Sequence, residues 1–135
     1  MKALSIMQPW AWLICAGHKD IENRSWPTSF RGPVLIHAGK KFDGEDDAND
    51  WAWPHIERPE AFDLGGIVGE AEIVDCVTRS NSRWFGGPYG FVIRNARPLE
   101  FRPCRGMLGF FEPDFTPPAP KPPKVLPPPR QAALF

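Results

Sequence analysis

Nine of the chain's seventeen prolines fall between Pro113 and Pro129, in "EPDFTPPAPKPPKVLPPPRQAALF". Each proline removes a backbone donor and fixes φ, so this density denies the segment both helix and sheet ladders and favours an extended polyproline II spacer. Any packed core must therefore come from residues 1–115, with residues 116–135 as a flexible tail. That length suffices for one hydrophobic core and not for two.

Within residues 1–115 the patterning is that of short strands. "KALSI" reads as the first. "QPWAWLICAG" follows as a helix, with Pro9 in its first turn, Trp10, Leu13 and Ile14 at i, i+3 and i+4, and Gly17 as a left-handed stop. "DIENR" alternates, placing Ile21 and Asn23 on one face and Asp20, Glu22 and Arg24 on the other. "GPVLIHAG" is a mostly apolar strand, and residues 40–63 read as an acidic loop with a short helix, broken by Pro54 and Pro59. "GGIVGEAEIVDCVT" is a strand bent at Gly69, with Ile67, Ala71, Ile73 and Val77 pointing one way. The loop "WFGGPYG" leads into "FVIRNARPLEF", and "GMLGFF" closes the domain. Five or six short strands with one helix after the first indicate a mostly β, α+β fold, a small barrel.

Composition narrows the function classes. Sixteen basic and sixteen acidic residues cancel, and residues 113–135 hold Lys121, Lys124 and Arg130 against Asp114, which leaves the first 112 residues at about −2. This is not the heavily basic surface of an indiscriminate nucleic-acid binder, so any such role needs a local site. Cys15, Cys76 and Cys104 are odd in number and have no C-x-x-C pair, which argues against a disulfide framework and a thiolate zinc site. His18 and His55 lack an i, i+4 partner, and no tightly bound metal is expected. "FDGEDDANDW" is rich in the oxygen ligands that hard cations prefer but lacks the spacing of an EF-hand loop. The start "MKALSIMQPW" has no signal-peptide pattern, and no apolar run is long enough for a membrane span, so a cytoplasmic protein is expected.

The stretch Gln8-Pro9-Trp10, then Gly17, Lys19, Glu22 and Arg24 in the spacing G-x-K-x-x-E-x-R, then Arg31-Gly32 and "VLIHAG", resembles the opening of an ASCH domain, a branch of the PUA-like superfamily. "GGIVGEAEIVDC", "GPYGFVI" and "GMLGFF" resemble its remaining strands, so the likeness extends over residues 2–111. It implies a PUA-like β-barrel. It also implies an association with RNA or DNA: recognition of nucleic acid or a modified base, metal-assisted RNA cleavage with weakly held magnesium or manganese, or, in one branch, hydrolysis of N4-acetylcytidine by a threonine, a lysine and a glutamate. Lys19 matches that lysine, but the alignment puts Glu22 where the threonine would stand, and a carboxylate does not replace a hydroxyl nucleophile.

The charged run suits a cleft. Lys19, held between Glu22 and Arg24, serves either as a general base or as a fixed cation for phosphate. Glu22 can accept from a base's amino group, and Arg24 can grip phosphate or orient Glu22. These three are the candidate catalytic residues, with Trp10, Trp26, Trp84 and Tyr89 as stacking planes and His37 at a strand end facing the same cleft. Against this, Glu22 and Arg24 can form an ordinary surface pair worth at most ~1 kcal/mol, and tryptophans are often core residues. The readings left open are a binder of single-stranded RNA or DNA or of a modified nucleoside, a hydrolase acting on the same ligands, and an adaptor. The adaptor reading rests on "QAALF", in which Gln131, Leu134 and Phe135 match the Q-x-x-L-F peptide that docks on the DNA polymerase sliding clamp.

Overall fold

In a computed structural model, which describes residues 1–44 and 49–115, the alternating segments become six strands. These are β1 (Ala3–Gln8), β2 (Ile21–Arg24), β3 (Gly32–Phe42), β4 (Gly66–Val77), β5 (Tyr89–Pro103) and β6 (Phe110–Phe111). One helix, α1 (Trp10–Cys15), follows β1, and a 3-10 turn spans Asp50–Ala52 in the acidic loop. All six strands form one sheet in the order β2-β5-β4-β3-β1-β6, with β1 and β3 parallel and the other neighbours antiparallel. The fold is mostly β, as the patterning indicates, but the sheet is a half-barrel rather than a closed barrel. No ladder joins the edge strands β2 and β6. Side chains span that gap: Trp26 and Phe30 lie against Phe110 with ring centroids 5.8 and 4.9 Å away, and Trp26 meets Phe91 edge-on at 5.2 Å.

The helix is short and plugs the concave face. Ala11, Ile14 and Cys15 pack among Leu4, Ile6, Val34, Ile36, Ala71, Ile73, Phe91 and Ile93, while Leu13 joins Ile21, Ala52 and Trp84 in a second cluster. Its approach to β4 is close because Gly69 has no side chain: a Cβ there would lie 2.3 Å from Cys15 Sγ and 2.5 Å from the Arg97 carbonyl. Gly17, with φ of +87°, ends the helical turn as anticipated. The N-terminal end is held by Gln8, fully buried, whose Oε1 accepts from the Trp12 amide at 2.8 Å while Nε2 donates to the Asp63 carbonyl at 3.0 Å.

One expectation about β4 changes. Ala71 and Ile73 face the main core, but Ile67 is buried on the other side with Ala3 and Phe111, and Val68 takes its place against the core. The β4–β5 register shifts between Ile67 and Gly69, and the β3–β4 register shifts between Ile36 and His37. A one-residue bulge exchanges the two faces of a strand, so the period of two does not run through Gly69. Among the described residues no helix is long and apolar enough to cross a membrane. The centre of the acidic run, residues 45–48, lies outside the described residues, as do Gln131, Leu134 and Phe135.

Candidate functional site

A cavity of about 450 Å³ opens where β1, the start of α1 and β2 meet the acidic loop, within the range of small-molecule sites. Its wall contains Trp10, Trp26, Trp51 and Trp84, and its polar lining includes Lys19, Glu22 and Arg24. The chain sets Lys19 there through the turn after α1: the Lys19 amide donates to the Leu13 carbonyl at 2.9 Å, and the side chain then folds back over β2. Lys19 Nζ donates to the Ile21 carbonyl and to Glu22 Oε1, the latter at 2.9 Å. Arg24 Nη2 forms an ion pair with Glu22 Oε2 at 3.1 Å, and the same nitrogen donates to the Ser5 carbonyl of β1 at 2.6 Å.

These are not surface pairs. Lys19 and Glu22 are only 5% and 7% exposed. Taking a lysine and a glutamate out of water costs several kcal/mol per ion, and only well-made hydrogen bonds offset it. Here every charge has a partner, yet Lys19 uses two of its three donors, and Arg24 Nε is buried with no acceptor among the described residues. An unmet donor of this kind costs about 1–3 kcal/mol.

The aromatic planes have their own supports. Trp10 Nε1 donates to Asp43 Oδ2 at 2.6 Å, and its ring lies 5.8 Å from Trp51, which in turn lies 5.6 Å from Trp84. Arg83 covers Trp84 at 4.3 Å and Trp51 at 5.6 Å, and Lys19 Nζ stands 5.9 Å from the Trp10 ring. Asn23, next to Glu22 on β2, donates to the Trp84 carbonyl at 2.9 Å and accepts from the amides of Gly86 and Gly87. It thereby ties the loop carrying Trp84 to β2.

Of the residues singled out in the sequence, Lys19, Glu22, Arg24, Trp10, Trp26 and Trp84 come together in this cavity. His37 does not line it. The residue is 2% exposed, its ring bonded at Nδ1 to Ser5 Oγ (3.0 Å) and at Nε2 to the Cys104 carbonyl (2.8 Å), and it borders an adjoining cavity instead. Tyr89 opens β5 opposite Arg24 in the ladder and is not among the lining residues. Of the hydroxyl side chains near Glu22, which stands where the amidohydrolase threonine would be, Thr28 Oγ1 accepts from the Phe30 amide and does not line the cavity, whereas Ser25 lines it. Trp51, Asp43 and Asn23 were not anticipated as site residues. Trp51 carries a signal, an aromatic residue in a polar proline-broken loop; Asp43 carries none, since its partner Trp10 is 33 residues away.

A model of the ASCH domain matches residues 4–100. The chain belongs to the ASCH domain family. This ASCH domain is 26% identical over 119 residues to activating signal cointegrator 1 of Homo sapiens, covering 76% of the chain and 20% of that protein. With the Mus musculus protein of the same name it is 30% identical over 83 residues, 56% of the chain and 14% of that protein. The ASCH domain thus spans a fifth or less of the curated relatives it matches. Crystal structures of ASCH from Zymomonas mobilis and of a Tyr-to-Phe mutant of it are 16% and 17% identical to this chain, with TM-scores of 0.45 and 0.46. They cover 74% and 76% of this chain, and are themselves covered over 71% and 74%.

Proposed function

We propose that this ASCH domain recognises one base of single-stranded RNA or DNA, or a modified nucleobase, in the tryptophan-walled cavity. The observation that carries the reading is the Lys19–Glu22–Arg24 network, with Lys19 and Glu22 buried and all three side chains lining that cavity. Stability alone favours apolar side chains at such positions, because buried ion pairs seldom repay their desolvation. A ligand supplies the reason to keep them. Trp10 or Trp26 offers a plane on which a base gains about 1–3 kcal/mol. Glu22, whose oxygens each have a second lone pair, accepts from an exocyclic amino group, and the remaining Lys19 donor meets a carbonyl or phosphate oxygen.

A hydrolytic reading is the second. It is favoured by Ser25, a hydroxyl-bearing residue that lines the cavity together with Lys19 and Glu22. The residues present do not suit a divalent cation: Glu22 already balances two cations, Asp43 is bonded to Trp10, and no cluster of three His, Cys, Asp or Glu side chains exists among the described residues. No step is therefore derived through magnesium or manganese. The tail adds a separate proposal, that Gln131, Leu134 and Phe135 dock on a sliding clamp and bring a cytoplasmic domain to DNA.

The test is to incubate the protein with end-labelled single-stranded RNA and DNA, with magnesium or manganese and with chelator, and to resolve complexes and cleavage products from the same samples. Complex formation that Lys19→Met abolishes is the expected result. Cleavage lost in the same variant establishes the second reading. Absence of both, for RNA and DNA alike, overturns the cavity as a nucleic-acid site.

A further inference from the structure

A second cavity, of about 500 Å³, adjoins the first and shares Ser5 and Arg24 with it. The hydrogen bond from Arg24 to the Ser5 carbonyl thus forms a common wall between two chambers of different character. The first is walled by tryptophans. The second carries Arg24, Lys40 and Arg105, and among the described residues no acidic side chain lines it.

We propose that the second cavity holds the phosphodiester of the nucleotide next to the recognised base, so that the ligand is a strand rather than a free nucleoside. This rests on the first cavity being a base site. Four observations support it. Lys40 and Arg105 are exposed and make no ion pair among the described residues, although the molecule pairs Arg97, Arg58 and Arg31 elsewhere. Arg24 faces both chambers, so one guanidinium can read the link between two nucleotides. The loop at the rim presents Met107 at 62% and Leu108 at 99% exposure, apolar cover for the face of an adjacent base. Finally, the loop is seated firmly. A Cβ at Gly106 would lie 2.6 Å from His37 Cε1, and His37 is pinned by Ser5 and by the Cys104 carbonyl, so the backbone of this rim rests on a fixed ring. His37 is accordingly a positioning residue for the second cavity.

The experiment is a set of ¹⁵N–¹H titrations of the full chain, reading the indole N–H signals of Trp10, Trp26, Trp51 and Trp84 for the first cavity and the amides of Gly106, Met107, Leu108 and Gly109 for the second. The probes are inorganic pyrophosphate, the four ribonucleosides, their 5′-monophosphates, and a single-stranded RNA hexamer of mixed sequence. Expected are loop shifts with pyrophosphate, indole shifts with at least one nucleoside, and both with the hexamer. In Lys40→Ala/Arg105→Ala the hexamer binds about tenfold more weakly and the slope of log affinity against log salt falls by roughly 1.4, about 0.7 for each contact on a single strand, while nucleoside binding is unchanged. A hexamer that moves only the indoles, or a double variant that binds it as the native chain does, overturns the proposal. Pyrophosphate shifts in the loop without any indole response to nucleosides or hexamer leave the anion site standing and overturn the base reading of the first cavity. A hexamer that binds no more tightly than a nucleoside 5′-monophosphate assigns the second cavity to a terminal phosphate and overturns the strand.

Discussion

Glu22 receives Lys19 on one oxygen and Arg24 on the other, so the three side chains act as a unit and their substitutions should not add. Lys19→Met leaves Glu22 short of a partner and the Ile21 carbonyl unbonded; removing one member of a buried pair costs about 3–5 kcal/mol. Glu22→Gln strips the counter-charge from both Lys19 and Arg24, and urea denaturation should find the loss in Lys19→Met/Glu22→Gln smaller than the sum of the two single losses. Simple addition of the two losses would contradict the network. Cys15 offers a second test. Burial under α1 pushes its thiol up to about 12, from 9.0 in an open chain. The unfolded chain therefore releases this proton near pH 9 while the native one holds it, and stability should fall between pH 9 and 12 by roughly 1.4 kcal/mol per pH unit from this group. Comparison with Cys15→Ala isolates that slope. In the native protein at pH 8 a thiol reagent should modify Cys76 and Cys104 and spare Cys15.

Helix α1 packs on strand β4, and their approach at Gly69 is close. The backbone at Gly69 touches Cys15, and the register shift beside it turns Ile67 to the opposite face. Gly69→Ala therefore places a methyl where Cys15 Sγ and the Arg97 carbonyl already stand, and overpacking of this sort costs about 1–3 kcal/mol. Thermal unfolding should show the loss, and Cys15→Ala in the Gly69→Ala background should recover part of it. Strand β2 has a comparable dependence on Asn23, which bonds the Trp84 to Gly87 segment through both ends of its amide. Asn23→Ala should loosen Trp84 and weaken nucleobase binding while Lys19 and Glu22 stay in place, a difference visible as a changed Trp84 indole signal with retained signals from Trp26.

At the scale of the molecule, the edges of the half-barrel are where the site lies. A closed ladder would leave no opening between β2 and β1; instead Arg24 reaches the Ser5 carbonyl, and the two cavities flank that contact. Truncation after residue 115 should leave the unfolding midpoint and the affinity for single-stranded RNA unchanged, since the proline-rich segment lacks the donors to join the sheet. A truncated chain that loses either would make the tail part of the domain.

The succession of strands along the chain, the helix after the first, its stop at Gly17 and the gathering of Lys19, Glu22 and Arg24 were legible in the sequence, because each depends on neighbours within a few residues and on the periods of helix and strand. The side on which Ile67 lies, the openness of the sheet, the bond from Trp10 to Asp43, and the separation of His37 from the tryptophan-walled cavity were decided by tertiary structure. A bulge, an unpaired edge and contacts across 33 or 67 residues follow from how strands register and pack in three dimensions, and no local pattern encodes them.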